Sequence, residues 1–162
     1  MPIIIPKDIP AYANLRSEKI FVMDSLRAGT QDIRPLEVAI VNLMPTKEVT
    51  ETQLMRLLGN TPLQVNIHPI GTASYKSTHV SEAHMQKFYR TLSEVKKMKF
   101  DGMIVTGAPV ETIPFEDVKY WKELVEIMDF AREHVTSTIY ICWGAQAAWY
   151  PFWGIGKQRL DK

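Results

Sequence analysis

The sequence predicts an α/β fold in which helices cover both faces of a doubly wound, mostly parallel β-sheet. Short apolar segments of strand length alternate along the chain with segments whose apolar residues recur at helical spacing. Residues 38–43 are apolar in a nearly continuous run rather than in alternation, which is typical of a strand buried on both faces. These two observations favour parallel strands connected by helical crossovers.

The first segment, residues 1–35, is predicted to be an irregular N-terminal arm. Prolines interrupt it repeatedly, and its one short apolar run of interest is residues 20–23. The regular α/β unit is expected in residues 36–162, which contain no internal repeat, low-complexity segment or interdomain linker.

Three further strands are predicted after residues 38–43. They occupy residues 63–67, 102–106 and 138–141. Residues 63–67 alternate between apolar and polar side chains, so we expect this strand nearer the edge of the sheet.

Three helices are predicted between these strands, each with apolar residues three or four positions apart. Thr50 and Gln53 form a capping-box pattern that opens the first, and Gly59 is a plausible end for it. The second covers residues 85–92, and the third opens at acidic residues and runs over residues 116–131. A further helical segment of small residues begins after Cys142.

The composition favours a cytoplasmic enzyme acting on a small molecule. The 162 residues are 46% hydrophobic and 23% charged, with a net charge of +1 and interleaved signs, which provides no footprint for nucleic acid or a membrane surface. The N-terminus resembles neither a signal peptide nor a membrane span. A single cysteine excludes an internal disulfide and a multi-thiolate zinc site, and we expect no metal centre.

That cysteine, Cys142, lies where a predicted strand turns into a predicted helix. Open α/β folds bind ligands at this edge of the sheet, and a helix start favours thiolate over thiol. The backbone N–H of Trp143 is a natural oxyanion donor, and Gly107 and Ala108 end the preceding strand at the same edge. The alternatives are a buried cysteine acting as a small hydrophobe and an ordinary turn at residues 107–109.

No general base can be recognised from the sequence. The four histidines are scattered along the chain: His68, His79, His84 and His134. We expect each of them to be a surface or helix-capping residue rather than a catalytic one. The aromatic residues between Trp149 and Trp153 are unusually dense, which suggests packing against a further surface.

Longer motifs point to a family. Residues 141–146, Ile-Cys-Trp-Gly-Ala-Gln, resemble the Cys-x-Gly-x-Gln nucleophile motif of class I glutamine amidotransferases. Five other segments are similar to one branch of that superfamily, the homoserine O-acyltransferases of methionine biosynthesis: residues 32–36, 41–47, 50–53, 100–109 and 134–138. The resemblance covers essentially the whole chain and implies a flavodoxin-like sheet of the class I glutamine amidotransferase type.

The resemblance also implies the chemistry. Cys142 would take an acyl group from acyl-CoA as a thioester and pass it to the hydroxyl of L-homoserine, with the acyl-CoA as cosubstrate and no permanently bound cofactor. Lys47 would orient or neutralise the substrate, although a solvated lysine near a helix start is an equally good interpretation. Glu111 occupies the position associated with acyl choice, where a glutamate would repel a succinyl carboxylate, so acetyl-CoA is the expected donor. A homodimer is a candidate assembly.

Family members are about twice as long, and their catalytic His and Glu lie beyond the position matching residue 162. We therefore expect residues 36–162 to be the N-terminal half of the domain and the chain alone to lack its base. Two alternatives stay open: a glutamine amidotransferase-type hydrolase, and a binding half-domain that uses the surface of residues 149–153.

Overall fold

A computed structural model describes residues 3–31, 33–74 and 80–158. Its centre is a six-stranded sheet in the order β2-β1-β4-β3-β5-β6, and every strand pairing in it is parallel. The strands are β1 (Ile3–Ile4), β2 (Val22–Met23), β3 (Leu36–Val41), β4 (Val65–Ile70), β5 (Phe100–Val105) and β6 (Val135–Tyr140). The predicted doubly wound α/β fold is confirmed.

Helices connect these strands and pack on both faces of the sheet. They are α1 (Pro10–Ser17), α2 (Ser25–Ala28), α3 (Lys47–Gly59), α4 (Glu82–Phe88), α5 (Leu92–Val95), α6 (Trp121–His134) and α7 (Trp143–Trp153), with a 3-10 turn at Phe115–Asp117. One apolar cluster joins α6 and α7 to one sheet face, and a second joins α1 and α3 to the other. None of the described helices combines the length and apolarity needed to cross a membrane.

The expectation of an irregular segment before residue 36 is wrong. β1 and β2 pair with each other, and β1 pairs with β4, so the start of the chain extends the sheet on that side. For the same reason β4 is an interior strand rather than one near the edge. Two-residue strands are too short to show periodicity, and their register comes from contacts with strands distant in sequence.

Three predicted helices differ in their bounds. Helix α3 begins at Lys47, so Thr50 lies inside it and donates its hydroxyl hydrogen bond to the carbonyl of Thr46 at 3.2 Å. The predicted helix over residues 85–92 is two short helices, because Tyr89 adopts extended backbone between them. Val118 does the same between the 3-10 turn and α6, which starts at Trp121.

The carboxyl ends of the central strands meet at one edge of the sheet. Val41, Val105 and Tyr140 are in register, so the residues that follow them are neighbours in space. The chain leaves β3 for α3 on one face and leaves β5 for α6 on the other, which makes the space between β3 and β5 the topological switch point. Ligands of open α/β sheets bind outside this point.

Candidate active site

Cys142 forms a strained corner between β6 and α7. Its φ of +54° and ψ of −121° are unusual for a residue with a side chain, and it is the N-cap of α7. Such backbone costs on the order of 1–3 kcal/mol and is common at nucleophiles held on a sharp strand-to-helix turn. The residue is exposed. The structure therefore favours the nucleophile interpretation of Cys142 over that of a buried small hydrophobe.

Two glycines allow this corner to form. A Cβ on Gly144 would lie 2.7 Å from the carbonyl oxygen of Thr106, so only glycine lets the start of α7 pack this closely on the end of β5. A Cβ on Gly107 would lie 3.2 Å from the Cβ of Cys142 and 3.6 Å from its Sγ. Both glycines therefore bring the cysteine against the backbone that follows β5.

Three backbone N–H groups at this corner are free of partners among the residues that the structure describes. They belong to Gly107, Ala108 and Trp143, the residues expected to form an oxyanion hole. Trp143 is the first residue of α7, where helical N–H groups have no intrahelical acceptor, and the next two amides bond back to Ile141 and Cys142. The donors needed to stabilise a developing oxyanion are thus present beside the thiol.

Thr106 joins the ends of β3 and β5 and was missed by sequence reasoning. Its hydroxyl accepts a hydrogen bond from the backbone N–H of Leu43 at 2.8 Å and donates one to the carbonyl of Gly107 at 3.1 Å. The side chain is buried, and its own N–H bonds to the carbonyl of Val41 at 3.0 Å. A threonine directly before a glycine at a strand end was the available signal.

Lys47 is buried at the first turn of α3, so its interpretation as a solvated lysine is wrong. It is 7% exposed, and its ammonium donates hydrogen bonds to the carbonyls of Asn42 at 2.5 Å and Met44 at 3.4 Å. Burial lowers the pKa of Lys47 to about 8, an effect that the carboxylate of Glu51 opposes. The residue lines a cavity of about 290 Å³ between the loops that follow β3 and β5.

A buried polar cluster lies behind Lys47 and was also missed from the sequence. Glu51 is 1% exposed and accepts hydrogen bonds through Oε1 from the hydroxyl of Tyr89 at 2.5 Å and from the ring of His84 at 3.1 Å. Asn42 donates to the hydroxyl of Tyr89 at 3.0 Å and to the carbonyl of Lys47 at 3.2 Å. Burial, and then the charge of Glu51, raise the pKa of Tyr89 well above its usual value, so the phenol keeps its proton.

Glu111 lies in the exposed loop that follows β5, two residues after Pro109. Lys157, beyond α7, donates hydrogen bonds to two carbonyls of this loop, that of Val110 at 3.4 Å and that of Ile113. Burial lowers the pKa of Lys157, and the charge of Glu111 opposes that effect. The two side chains therefore interact electrostatically at the loop that follows β5.

The three histidines that the structure describes do not contact Cys142 as a base would. His68 and His84 are buried against Glu37 and Glu51, which corrects the expectation that they are surface or capping residues. His134 ends α6 as predicted, and its ring stacks on that of Phe130 with 4.6 Å between the ring centres. His79 lies outside the described residues. No described histidine makes a hydrogen bond to the thiol.

Aromatic side chains of α7 extend away from this corner. Trp149 and Trp153 are 51% and 66% exposed, whereas Tyr150 stacks on Phe115 at 5.0 Å. The dense aromatic segment is therefore divided between a packed part and an exposed part.

Comparison with known proteins identifies the family. The model of the homoserine O-succinyltransferase family matches residues 2–162. A homoserine O-acetyltransferase of Desulfovibrio desulfuricans is 62% identical over 162 residues, which are 100% of this chain and 52% of that protein. A homoserine O-acetyltransferase of Lysinibacillus sphaericus is 59% identical over 161 residues, which are 99% of this chain and 52% of that protein. Homoserine O-acetyltransferase 1 of Ilyobacter polytropus is 55% identical over 162 residues, or 100% of this chain and 54% of that protein.

The chain thus spans about half the length of the curated relatives it matches. The family model carries the succinyl name, and these three relatives carry the acetyl name. The resemblance inferred from the motifs is confirmed over essentially the whole chain, which belongs to the homoserine O-succinyltransferase family.

Proposed function

We propose that this protein acts in methionine biosynthesis as a homoserine O-acyltransferase, with acetyl-CoA as its donor and Cys142 as the acyl carrier. The observation that carries the proposal is an exposed cysteine at a strained strand-to-helix corner, beside three backbone N–H groups that have no partner in the described parts of the chain. Names of relatives that match the whole chain at 55–62% identity support the acyl acceptor and the donor.

The reaction proceeds in two steps. The Cys142 thiolate attacks the thioester carbonyl, and the oxygen of the tetrahedral intermediate accepts hydrogen bonds from the amides of Trp143, Gly107 and Ala108. The C–S bond to coenzyme A breaks, and coenzyme A leaves as a thiolate that takes up a proton. The hydroxyl of homoserine then attacks the new thioester and loses its proton, and O-acyl-homoserine leaves as the Cys142 thiolate re-forms.

Lys47 is proposed to present a positive charge to an anionic group of the substrate. Two of its three N–H bonds are directed at backbone carbonyls, which holds the ammonium at the wall of the cavity between the β3 and β5 loops. With a pKa of about 8, the ammonium form predominates at neutral pH. A fixed cation in a mostly apolar cavity attracts a carboxylate more strongly than a solvated lysine would.

Glu111 is proposed to set the choice of donor. A carboxylate in the loop after β5 repels the distal carboxylate of a succinyl group and does not affect the neutral acetyl group. We also propose that residues 36–162 form the nucleophile-bearing part of the domain and that the protein is cytoplasmic. Since no described side chain makes a hydrogen bond to the thiol, we propose that a base from another part of the protein completes the site.

Product analysis tests the proposal. The intact protein is incubated with L-homoserine and either acetyl-CoA or succinyl-CoA, and products are identified by mass spectrometry, with Cys142→Ala as the control. We expect O-acetyl-homoserine from wild type, little O-succinyl-homoserine, and neither from the variant. Release of ammonia from glutamine without release of coenzyme A would instead support an amidotransferase-type hydrolase.

A further inference from the structure

Lys157 is fixed against the loop that carries Glu111. Its ammonium donates to the carbonyl of Val110 at 3.4 Å and to that of Ile113, the two residues that bracket Glu111 and Thr112. It also lies 4.6 Å from the centre of the Phe115 ring. The ammonium is therefore held from three directions, beside the middle of the loop.

The ring beneath Lys157 is itself well anchored. Phe115 is buried, and its ring stacks on those of Trp121 and Tyr150, with 5.2 Å and 5.0 Å between the ring centres. The acid nearest to this stack in sequence, Glu116, accepts a hydrogen bond from the hydroxyl of Tyr150. Glu116 is thus engaged elsewhere, and Glu111 is the acid whose charge acts on Lys157.

We propose that Lys157 is a specificity-determining residue for the acyl donor. Glu111 offsets the charge of Lys157, and in the absence of Glu111 the Lys157 ammonium would bind the distal carboxylate of a dicarboxylic acyl group. This inference rests on the proposed function. The carboxylate of Glu111 and the free carboxylate of a succinyl group are chemically alike, and either can accept a charge-assisted hydrogen bond from the third N–H of Lys157.

The proposal explains how a substitution at position 111 could change the preferred donor from acetyl-CoA to succinyl-CoA, rather than only admit or exclude succinyl-CoA. Removing the Glu111 side chain does more than create space, because it also leaves Lys157 without its nearby carboxylate. Space alone would admit a succinyl group and favour it no more than a neutral group of the same length. A cation at the loop adds attraction for the charged donor specifically.

The experiment measures the rate at which acetyl-CoA and succinyl-CoA acylate Cys142, by intact mass spectrometry of wild type, Glu111→Gly, Lys157→Met and the double variant. We expect Glu111→Gly to raise the ratio of succinyl to acetyl rates by about tenfold or more, and Lys157→Met to remove most of that gain in the double variant. Lys157→Arg in the Glu111→Gly background should retain the gain. The matched control is Lys122→Met, which removes an exposed lysine of α6 and should retain it too.

The outcomes distinguish a failure of the proposed function from a failure of the role proposed for Lys157. If acetyl-CoA does not acylate Cys142 in wild type, the proposed function fails. If acetylation is normal but Glu111→Gly gains the same succinyl rate with or without Lys157→Met, the role of Lys157 is refuted while the proposed function stands. A fall in both rates by the same factor in the double variant would show that Lys157 only supports the loop, which also refutes it. Thermal unfolding of each variant identifies any loss of acylation rate that comes from misfolding. Lys157→Gln serves as an additional variant for the same purpose.

Discussion

Replacing Lys47 with methionine removes a buried charge from the carboxyl edge of the sheet while keeping a side chain of similar length. In the folded protein burial lowers the pKa of Lys47 from 10.5 to about 8, whereas in the unfolded chain it keeps the ordinary value of a lysine. Between these two pH values the unfolded chain binds more protons than the folded one. The free energy of unfolding of wild type must therefore rise with pH in this window, relative to that of Lys47→Met.

The magnitude follows from the two pKa values. At about 1.4 kcal/mol for each pH unit, the interval from 10.5 to about 8 corresponds to about 3 kcal/mol. Below the folded pKa the full cost of burying the ammonium is present. Above the unfolded pKa the cost is gone, because the amine is neutral in both states. The residue is only 7% exposed, so solvent screening reduces this value little.

The assay is urea unfolding of wild type and Lys47→Met at intervals from about pH 7 to about pH 10.5, and the quantity compared is the difference between their free energies of unfolding. Groups that titrate alike in both proteins cancel in this difference. Glu51→Gln in the wild-type background removes the carboxylate that keeps the pKa of Lys47 from falling further, so the rise should begin at lower pH. A difference that stays constant over the whole range would refute the burial of a charged Lys47.

Two further predictions concern the cysteine corner. Gly144→Ala should lower the free energy of unfolding, measured in urea, by about 1–3 kcal/mol, because the added Cβ meets the carbonyl of Thr106. The control Gly156→Ala, whose Cβ meets nothing within 4 Å, should change it by no more than about 0.5 kcal/mol. Equal effects of the two substitutions would contradict the close approach of α7 to β5. Gly107→Ala should slow acylation of Cys142 by about tenfold, since its Cβ displaces the thiol by a few tenths of an ångström; an unchanged rate of thioester formation would show that this contact does not position the nucleophile.

The centre of the fold was predictable because its signals are local. The continuous apolar run around Val38 to Val41 and the β-branched run before Cys142 each indicate a strand without reference to distant residues. The cysteine corner follows from the same strand and from Gly144, which the sequence places directly after Trp143. Sequence therefore predicted the doubly wound sheet and the strand-to-helix corner at Cys142.

What could not be predicted depends on contacts between distant segments. Helix α3 buries Glu51 and leaves Leu57 73% exposed, the reverse of what an amphipathic pattern indicates. Tyr89, which lies 38 residues away in sequence, donates a hydrogen bond to Oε1 of the buried carboxylate. The burial of Lys47 beside this cluster is hidden for the same reason, and so is the placement of β1 beside β4.

The central claim is that Cys142 carries the acyl group. The most direct measurement is intact mass spectrometry with peptide mapping after incubation with acetyl-CoA, performed on wild type and on Cys142→Ala. We predict the addition of a single acetyl group to wild type, located on Cys142, and no addition to the variant. An unmodified Cys142, or an acetyl group on another residue that persists in Cys142→Ala, would contradict the claim.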